Sequence, residues 1–247
     1  MTKTLIVIPA RLAASRLPQK PLALIEGVPM IVHVWRQAML ANVGPVIVAC
    51  CGEEIASVVR AAGGEAIITD PDLPSGTDRV VAAMNQFDAG SDYDIVINLQ
   101  GDLPTIDPND VRQVMLPFVE PEVDIATLAA KIEEASQITN PNVVKIATGT
   151  WRKVVDGQVA RAVYFSRQPI PANATEFYYH IGVYAYRKEA LNRFVQRAPS
   201  YLEMTEKLEQ LRALEVGMRI DVTRISQIPQ SVDTPQDLER VVAMLRD

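Results

Sequence analysis

Cysteine is nearly absent from this 247-residue chain: there are two, Cys50 and Cys51, side by side after an apolar run. Adjacent thiols supply neither the spaced bridges that staple small extracellular domains nor the paired spacing of a zinc site. Both therefore read as small residues at a strand end. Histidine is equally scarce, at two. A basic excess is missing too. The 24 Lys and Arg stand against 30 Asp and Glu, a net charge of −6, which excludes a broad electrostatic footprint for nucleic acid and leaves room for a local basic site. No apolar run approaches ~18 residues, so no membrane insertion is expected. The opening "TLIVIPA" lacks the basic and long apolar regions of a signal peptide, and the chain reads as cytoplasmic.

Several catalytic signatures are also lacking. The chain carries no G-x-x-x-x-G-K-[ST] phosphate loop, no G-x-G-x-x-G dinucleotide fingerprint, no G-x-S-x-G nucleophile elbow and no cluster of zinc ligands. These absences count against the common nucleotide folds and against covalent or zinc-dependent hydrolysis.

What is present is a hydrophobic content of 48%, enough to bury a sizeable core, distributed as short β-branched runs alternating with helical patterns. "TLIVIPA", "PVIVACC", "EAIITD" and "YDIVINLQ" read as strands; the last is the most apolar and should be central. Between them lie helices over "MIVHVWRQAMLA", "EEIASVVRAAGG" and "GTDRVVAAMNQF", the third with Thr77 as its cap. From about 140 to 187 the pattern turns to antiparallel strands, with a hairpin at Asp156 and Gly157. "LEMTEKLEQLRALEVG" predicts one helix ending near Gly217. "TPQDLERVVAMLRD" predicts a terminal helix with Thr234 or Asp233 near its start. The expected fold is α/β: a mainly parallel nucleotide-binding sheet flanked by helices, one domain over 1–247, with a smaller mixed α+β extension at about 140–217.

The loop after the first strand holds Arg11, Arg16 and Lys20 among Pro9, Pro18 and Pro21. Three cations beyond the carboxyl end of a strand suit phosphate, and the prolines stiffen a loop that solubility alone would leave slack. Asp102, after the fourth strand, is either a turn-capping aspartate or a carboxylate aimed at a divalent cation beside a triphosphate. Gln100, one alternation earlier, offers a donor and an acceptor. Asp233 is either a helix cap or a second such carboxylate, depending on what folding brings to it. His180, between "FYY" and "IGVY", is either a hydrogen-bonded core side chain or a site residue. Glu203, Glu206 and Glu209 recur at a spacing that fits a solvated helix face.

Taken together, "IPARLAASRLPQKPL", "PSGTDRV", "INLQGD", "YFSRQPIP", "HIGVYAYR", "LEQLRALEVGMRI" and "VDTPQDLERV" resemble the 3-deoxy-manno-octulosonate cytidylyltransferase (CMP-Kdo synthetase) family over essentially the whole chain. The resemblance implies a nucleotide-diphospho-sugar transferase-like fold, a homodimer, and activation of the sugar acid Kdo with CTP for lipopolysaccharide assembly. It assigns Arg11, Arg16 and Lys20 to the CTP phosphates, with Ser75, Gly76 and Arg79 near the nucleotide. It makes Asp102 and Asp233 ligands of Mg2+. Gln100, Arg167, His180, Tyr184, Glu209 and Gln210 would contact the sugar acid. Catalysis would rest on Arg16, Lys20, Asp102 and Asp233, and the 140–217 extension would serve sugar binding and dimerisation. One departure is Leu103, where the family usually has Glu; alternation turns it from the side Asp102 uses. The alternatives are a cytidylyltransferase for another sugar acid, sialic-acid-like or an amino-substituted Kdo, and a catalytically idle CTP-binding protein.

Overall fold

The apolar runs of the first half become parallel strands because both of their faces are covered. A computed structural model of the chain describes residues 2–12, 16–87 and 93–246. It divides into two units, one built from Met1–Val111 with Pro229–Asp247 and the other from Arg112–Ile228. The first unit begins with β1 (Thr4–Ala10), a 3-10 turn at Lys20–Leu22, and a small hairpin of β2 (Leu24–Ile25) and β3 (Val28–Pro29). It continues through α1 (Met30–Ala41), β4 (Val46–Cys50), α2 (Glu53–Ala61), β5 (Glu65–Ile68), α3 (Gly76–Phe87), β6 (Ile95–Asn98) and α4 (Pro108–Gln113).

In this unit's main sheet the strand order is β5-β4-β1-β6 and every pairing along it is parallel. Leu5, Ile6, Val7, Ile8, Ile47, Val48, Val96 and Ile97 are fully buried, so these strands form the centre of the core. The chain winds outward from β1 through β4 to β5, then returns to the other side of β1 to lay down β6. Where strand order reverses in this way, between β1 and β6, the carboxyl ends of those two strands open a crevice suited to a ligand. A Cβ added at Gly101 would lie 2.9 Å from the Pro9 carbonyl oxygen, so glycine is what lets the segment after β6 run against the end of β1.

The second unit carries a 3-10 turn at Leu116–Val119, β7 (Ile125–Lys131), α5 (Ala135–Thr139), β8 (Lys145–Thr148), β9 (Arg152–Val154), β10 (Gly157–Ser166) and β11 (Tyr178–Arg187). It ends with α6 (Lys188–Val195), α7 (Tyr201–Glu206), α8 (Leu211–Glu215) and β12 (Ile220–Ile225). Its sheet runs β11-β7-β12-β10-β8; only β7 and β12 pair in parallel, and β9 forms a hairpin with β10. Lys145 of β8 also pairs with Tyr179 of β11, so the sheet curls back on itself.

Three local expectations give way here. The single helix expected over 202–217 is two, α7 and α8, broken at Lys207, which adopts φ 57° and ψ 45°. The break is rewarded by tertiary bonds. Arg212 forks onto both Glu203 oxygens at 2.7 and 2.6 Å, and Glu206 accepts from the Ser166 hydroxyl at 2.8 Å and the Arg167 amide at 3.2 Å. Those two glutamates are therefore structural partners and not members of a solvated face. At α3 the cap is Ser75, whose hydroxyl accepts from the Thr77 and Asp78 amides at 3.1 and 3.2 Å; Thr77 is buried. No helix among the described residues is long and apolar enough to cross a membrane.

The chain returns to the first unit as α9 (Pro235–Met244). Thr234 caps it in a capping box with Asp237, and Pro235 occupies its first turn. Ile25, Met30, Val232 and Val241 form a buried cluster on which Leu17, Leu238 and Val242 pack, tying the basic loop and the hairpin to the final helix. Thr234→Ala should cost about 1 kcal/mol in a denaturant titration, the usual worth of such a cap.

Candidate functional site

Each carboxylate in the crevice of the first unit is delivered by backbone that has little freedom to do otherwise. The segment after β6 is stitched to the segment before α9. The Val232 amide donates to the Asp102 carbonyl at 3.0 Å, the Gln230 amide donates to Thr105 Oγ1 at 3.1 Å, and that hydroxyl donates to the Gln230 carbonyl at 3.3 Å. Because Thr234 serves as the cap and Asp237 accepts from the Asp233 amide at 3.1 Å, the Asp233 carboxylate is released from capping. The apolar cluster holds Leu17 and Ile25 on either side of Lys20 in sequence, and Val232 beside Asp233.

These supports converge on one ammonium. Lys20 Nζ lies 2.7 Å from Asp102 Oδ2 and 2.9 Å from Asp233 Oδ1, and Arg16 Nη2 lies 3.3 Å from the same Asp233 oxygen. The Lys20 side chain is 17% exposed, so burial opposes its charge. The two carboxylates, Asp102 first, outweigh that and hold its pKa above the ordinary lysine value. Charge-assisted bonds of this length hold the ammonium firmly. Leu103 is buried at 5% exposure and adds no charge beside Asp102.

The other residues singled out in the first unit take no part in these described ion pairs. Arg11 is exposed at the end of β1. Residues 13–15 of the same loop lie outside the described residues. Ser75 and Gly76 open α3. Arg79 is buried, and its guanidinium donates to Thr69 Oγ1 at 2.5 Å and to the Asp70 and Pro71 carbonyls at 3.1 and 3.2 Å. It pins the loop after β5 and does not project into solvent. Gln100 Nε2 donates to Asn98 Oδ1 at 3.2 Å.

The remaining residues belong to the second unit. His180 is buried; its Nε2 is 3.1 Å from Thr127 Oγ1, and its ring meets Phe165 edge-on at 4.9 Å and Tyr184 at 5.4 Å. Burial pushes its pKa down to about 3, so it is neutral at physiological pH. A neutral buried histidine binds fewer protons than its unfolded counterpart between pH 6.5 and 3, so stability falls as pH drops through that window, by about 1.4 kcal/mol per unit for this group. The His180 ring signal in an NMR titration should stay unmoved from pH 8 to 5; a midpoint near 6.5 would contradict this.

Arg167 is held by three main-chain carbonyls: Nε donates to Glu206 at 3.1 Å, Nη1 to Pro141 at 2.9 Å and Nη2 to Lys207 at 3.4 Å. A guanidinium has five N–H groups, so one remains on each terminal nitrogen. Glu209 and Gln210 lie in the turn between α7 and α8, which Glu203, Arg212 and the Ser200 capping box brace. Lys145, absent from the expectations above, and Glu206, expected only on a solvated face, touch Arg167 or its backbone. A lone lysine inside the apolar run "NVVKIAT" was the available signal for the first of them.

Among the described residues no group of three or more His, Cys, Asp and Glu is arranged to hold a metal ion. The Asp102 and Asp233 pair is a hard-oxygen set already gathered around a positive charge. Two carboxylates are a donor set that fits a hard cation whose remaining ligands are substrate oxygens.

Comparison with known proteins places the chain among sequence and fold relatives. Residues 5–220 match the family model described as Cytidylyltransferase. The chain is 54% identical over 243 residues to the 3-deoxy-manno-octulosonate cytidylyltransferase of Paramagnetospirillum magneticum, covering 98% of this chain and 97% of that protein. It is 52% identical to the one from Rhodospirillum rubrum, covering 98% and 95%. A solved structure of a CMP:2-keto-3-deoxy-manno-octonic acid synthetase complexed with CTP superposes with a TM-score of 0.90 at 39% identity, covering 99% of both chains. A cytidylyltransferase from Leptospira borgpetersenii, 13% identical with a TM-score of 0.62, shares the fold. With relatives this similar over its whole length, the chain belongs to the 3-deoxy-manno-octulosonate cytidylyltransferase family.

Proposed function

We propose that this protein transfers the cytidylyl group of CTP to the anomeric hydroxyl of 3-deoxy-D-manno-octulosonate, giving CMP-Kdo and pyrophosphate. The observation that carries the reading is Lys20 clasped between Asp102 and Asp233 at the carboxyl ends of β1 and β6, in a chain of this family. The reaction is an in-line displacement in which the sugar hydroxyl attacks the α-phosphorus and pyrophosphate leaves, so the protein needs no nucleophile of its own.

Asp102 and Asp233 suit Mg2+, an ion commonly held by one or two carboxylates with substrate phosphates. When bound, it supplies charge neutralisation at the α-phosphate and lowers the pKa of the attacking hydroxyl. Lys20 turns from the carboxylates to the phosphates and, with Arg16 and Arg11, offsets the charge that develops on the leaving pyrophosphate. Ser75 and Gly76, at the start of α3, lie beside the nucleotide, and Arg79 fixes the neighbouring loop. Arg167 receives the sugar carboxylate on its two remaining N–H groups, as a planar fork can. Gln100, Tyr184, Glu209 and Gln210 serve the hydroxyl-rich remainder. His180, being neutral, acts there as a hydrogen-bonding group and not as a cation. The protein works in the cytoplasm as a homodimer, and its product feeds lipopolysaccharide assembly.

The test is magnesium-dependent pyrophosphate release from the purified protein, comparing CTP with ATP, GTP and UTP and comparing Kdo with other sugar acids. Release confined to CTP with Kdo is expected. Release with a different sugar acid would transfer the reading to that substrate, and none with any pair would overturn it.

A further inference from the structure

Lys145 is fully buried and its ammonium meets no carboxylate among its described hydrogen-bond partners. All three of its donors end on main-chain carbonyls: Asn140 at 2.9 Å, Val143 at 2.6 Å and Arg167 at 2.6 Å. Burying an ammonium without a counter-ion is costly, and an apolar side chain would fill this position in β8 at less expense to the fold. Burial first, and the charge of Arg167 second, pull its pKa below the ordinary lysine value. Such a group is worth its cost where several carbonyls must converge on one point.

The carbonyls it gathers belong to the two segments that meet at Arg167. Lys145 holds the 140–143 turn from within the unit, while Arg167 Nη1 holds Pro141 of the same turn from the outer side. Strand pairing sets Lys145 directly opposite Ser166 on β10, and the Ser166 hydroxyl and Arg167 amide are both fastened to Glu206. The Arg167 backbone is thus clamped at its carbonyl by Lys145 and at its amide by Glu206. Its guanidinium is steered by Pro141, Glu206 and Lys207.

We infer that Lys145 is a positioning residue for the transfer reaction: its ammonium fixes the backbone of Arg167 and the 140–143 turn so that the Arg167 guanidinium meets the sugar-acid carboxylate in a fixed orientation. The inference rests on the proposed role of Arg167 toward that carboxylate. Lys145 itself touches no substrate.

The experiment is steady-state kinetics on the full-length protein for Lys145→Met, Arg167→Ala and the double variant, with KM measured separately for Kdo and CTP. Lys145→Met should raise the KM for Kdo about tenfold and leave that for CTP within about twofold, because a misplaced binding fork costs alignment at one substrate only. The double variant should be no worse than Arg167→Ala alone, since the lysine acts through the arginine. Fully additive losses, or equal losses for both substrates, would overturn the inference while leaving Arg167 in its role. An unchanged KM for Kdo in Arg167→Ala would overturn the role and the inference together. Should Lys145→Met fail to fold, Asn140→Ala decides the matter. That exposed residue's side chain accepts from the Asn142 amide at 2.9 Å and shapes the same turn. A rise of about threefold in the KM for Kdo alone supports the inference, and no change overturns it.

Discussion

Asp102→Asn is expected to lower kcat about 1,000-fold, the scale seen when a group that stabilises developing charge is removed. The fold should hardly notice. Asp102 is 29% exposed on its side chain, its backbone carbonyl keeps its bond from Val232, and Lys20 retains Asp233 as a partner. A partly exposed ion pair is worth about 0–1 kcal/mol, which shifts the melting midpoint of a chain this size by about 4 °C or less. Turnover and thermal melting on the same preparation separate the two effects. A loss of activity matched by a large fall in melting midpoint would make Asp102 a structural residue, and unchanged turnover would remove it from the site.

Lys20→Met should move two quantities in opposite directions. Turnover falls about 100-fold, because a cation that offsets phosphate charge is gone. Affinity for Mn2+ in the absence of nucleotide, read by electron paramagnetic resonance with Mn2+ as the probe, rises about tenfold. In the unsubstituted protein the ammonium already satisfies both carboxylates at 2.7 and 2.9 Å, and a divalent cation must displace it. Equal Mn2+ affinity in the two proteins would show that Lys20 does not compete for those oxygens. The two variants together distinguish a lysine that serves only the phosphates from one that also keeps the acidic pair neutralised before substrate arrives.

Much of the framework was legible because period and composition are local properties. β1 runs from Thr4 to Ala10, α1 from Met30 to Ala41, and β11 from Tyr178 to Arg187, each over the residues whose pattern announces it. The hairpin expected there also forms between β9 and β10, with its turn one residue earlier than expected, at Val155 and Asp156, and Gly157 already paired with Val154. Where tertiary bonds outbid local propensity, the pattern misled. A helical spacing continues through Lys207, yet the chain turns there because Glu203 and Glu206 have distant partners in Arg212 and Ser166. Thr77 looks as good a cap as Ser75, and only the backbone path decides between them.

The inventory of the site follows the same division. By itself the sequence determined that three cations lie in a proline-stiffened loop, that a carboxylate follows the central strand, and that another precedes a terminal helix. It left each carboxylate with an ordinary alternative as a cap. Only the tertiary structure decided that Lys20 reaches an aspartate 82 positions away and a second 213 positions away with a single nitrogen. The same holds for the three carbonyls that Lys145 gathers from two segments. Hydrophobic periodicity fixes which face of an element is buried, but the meeting of residues far apart in the chain depends on strand order, and strand order is set by how whole elements pack.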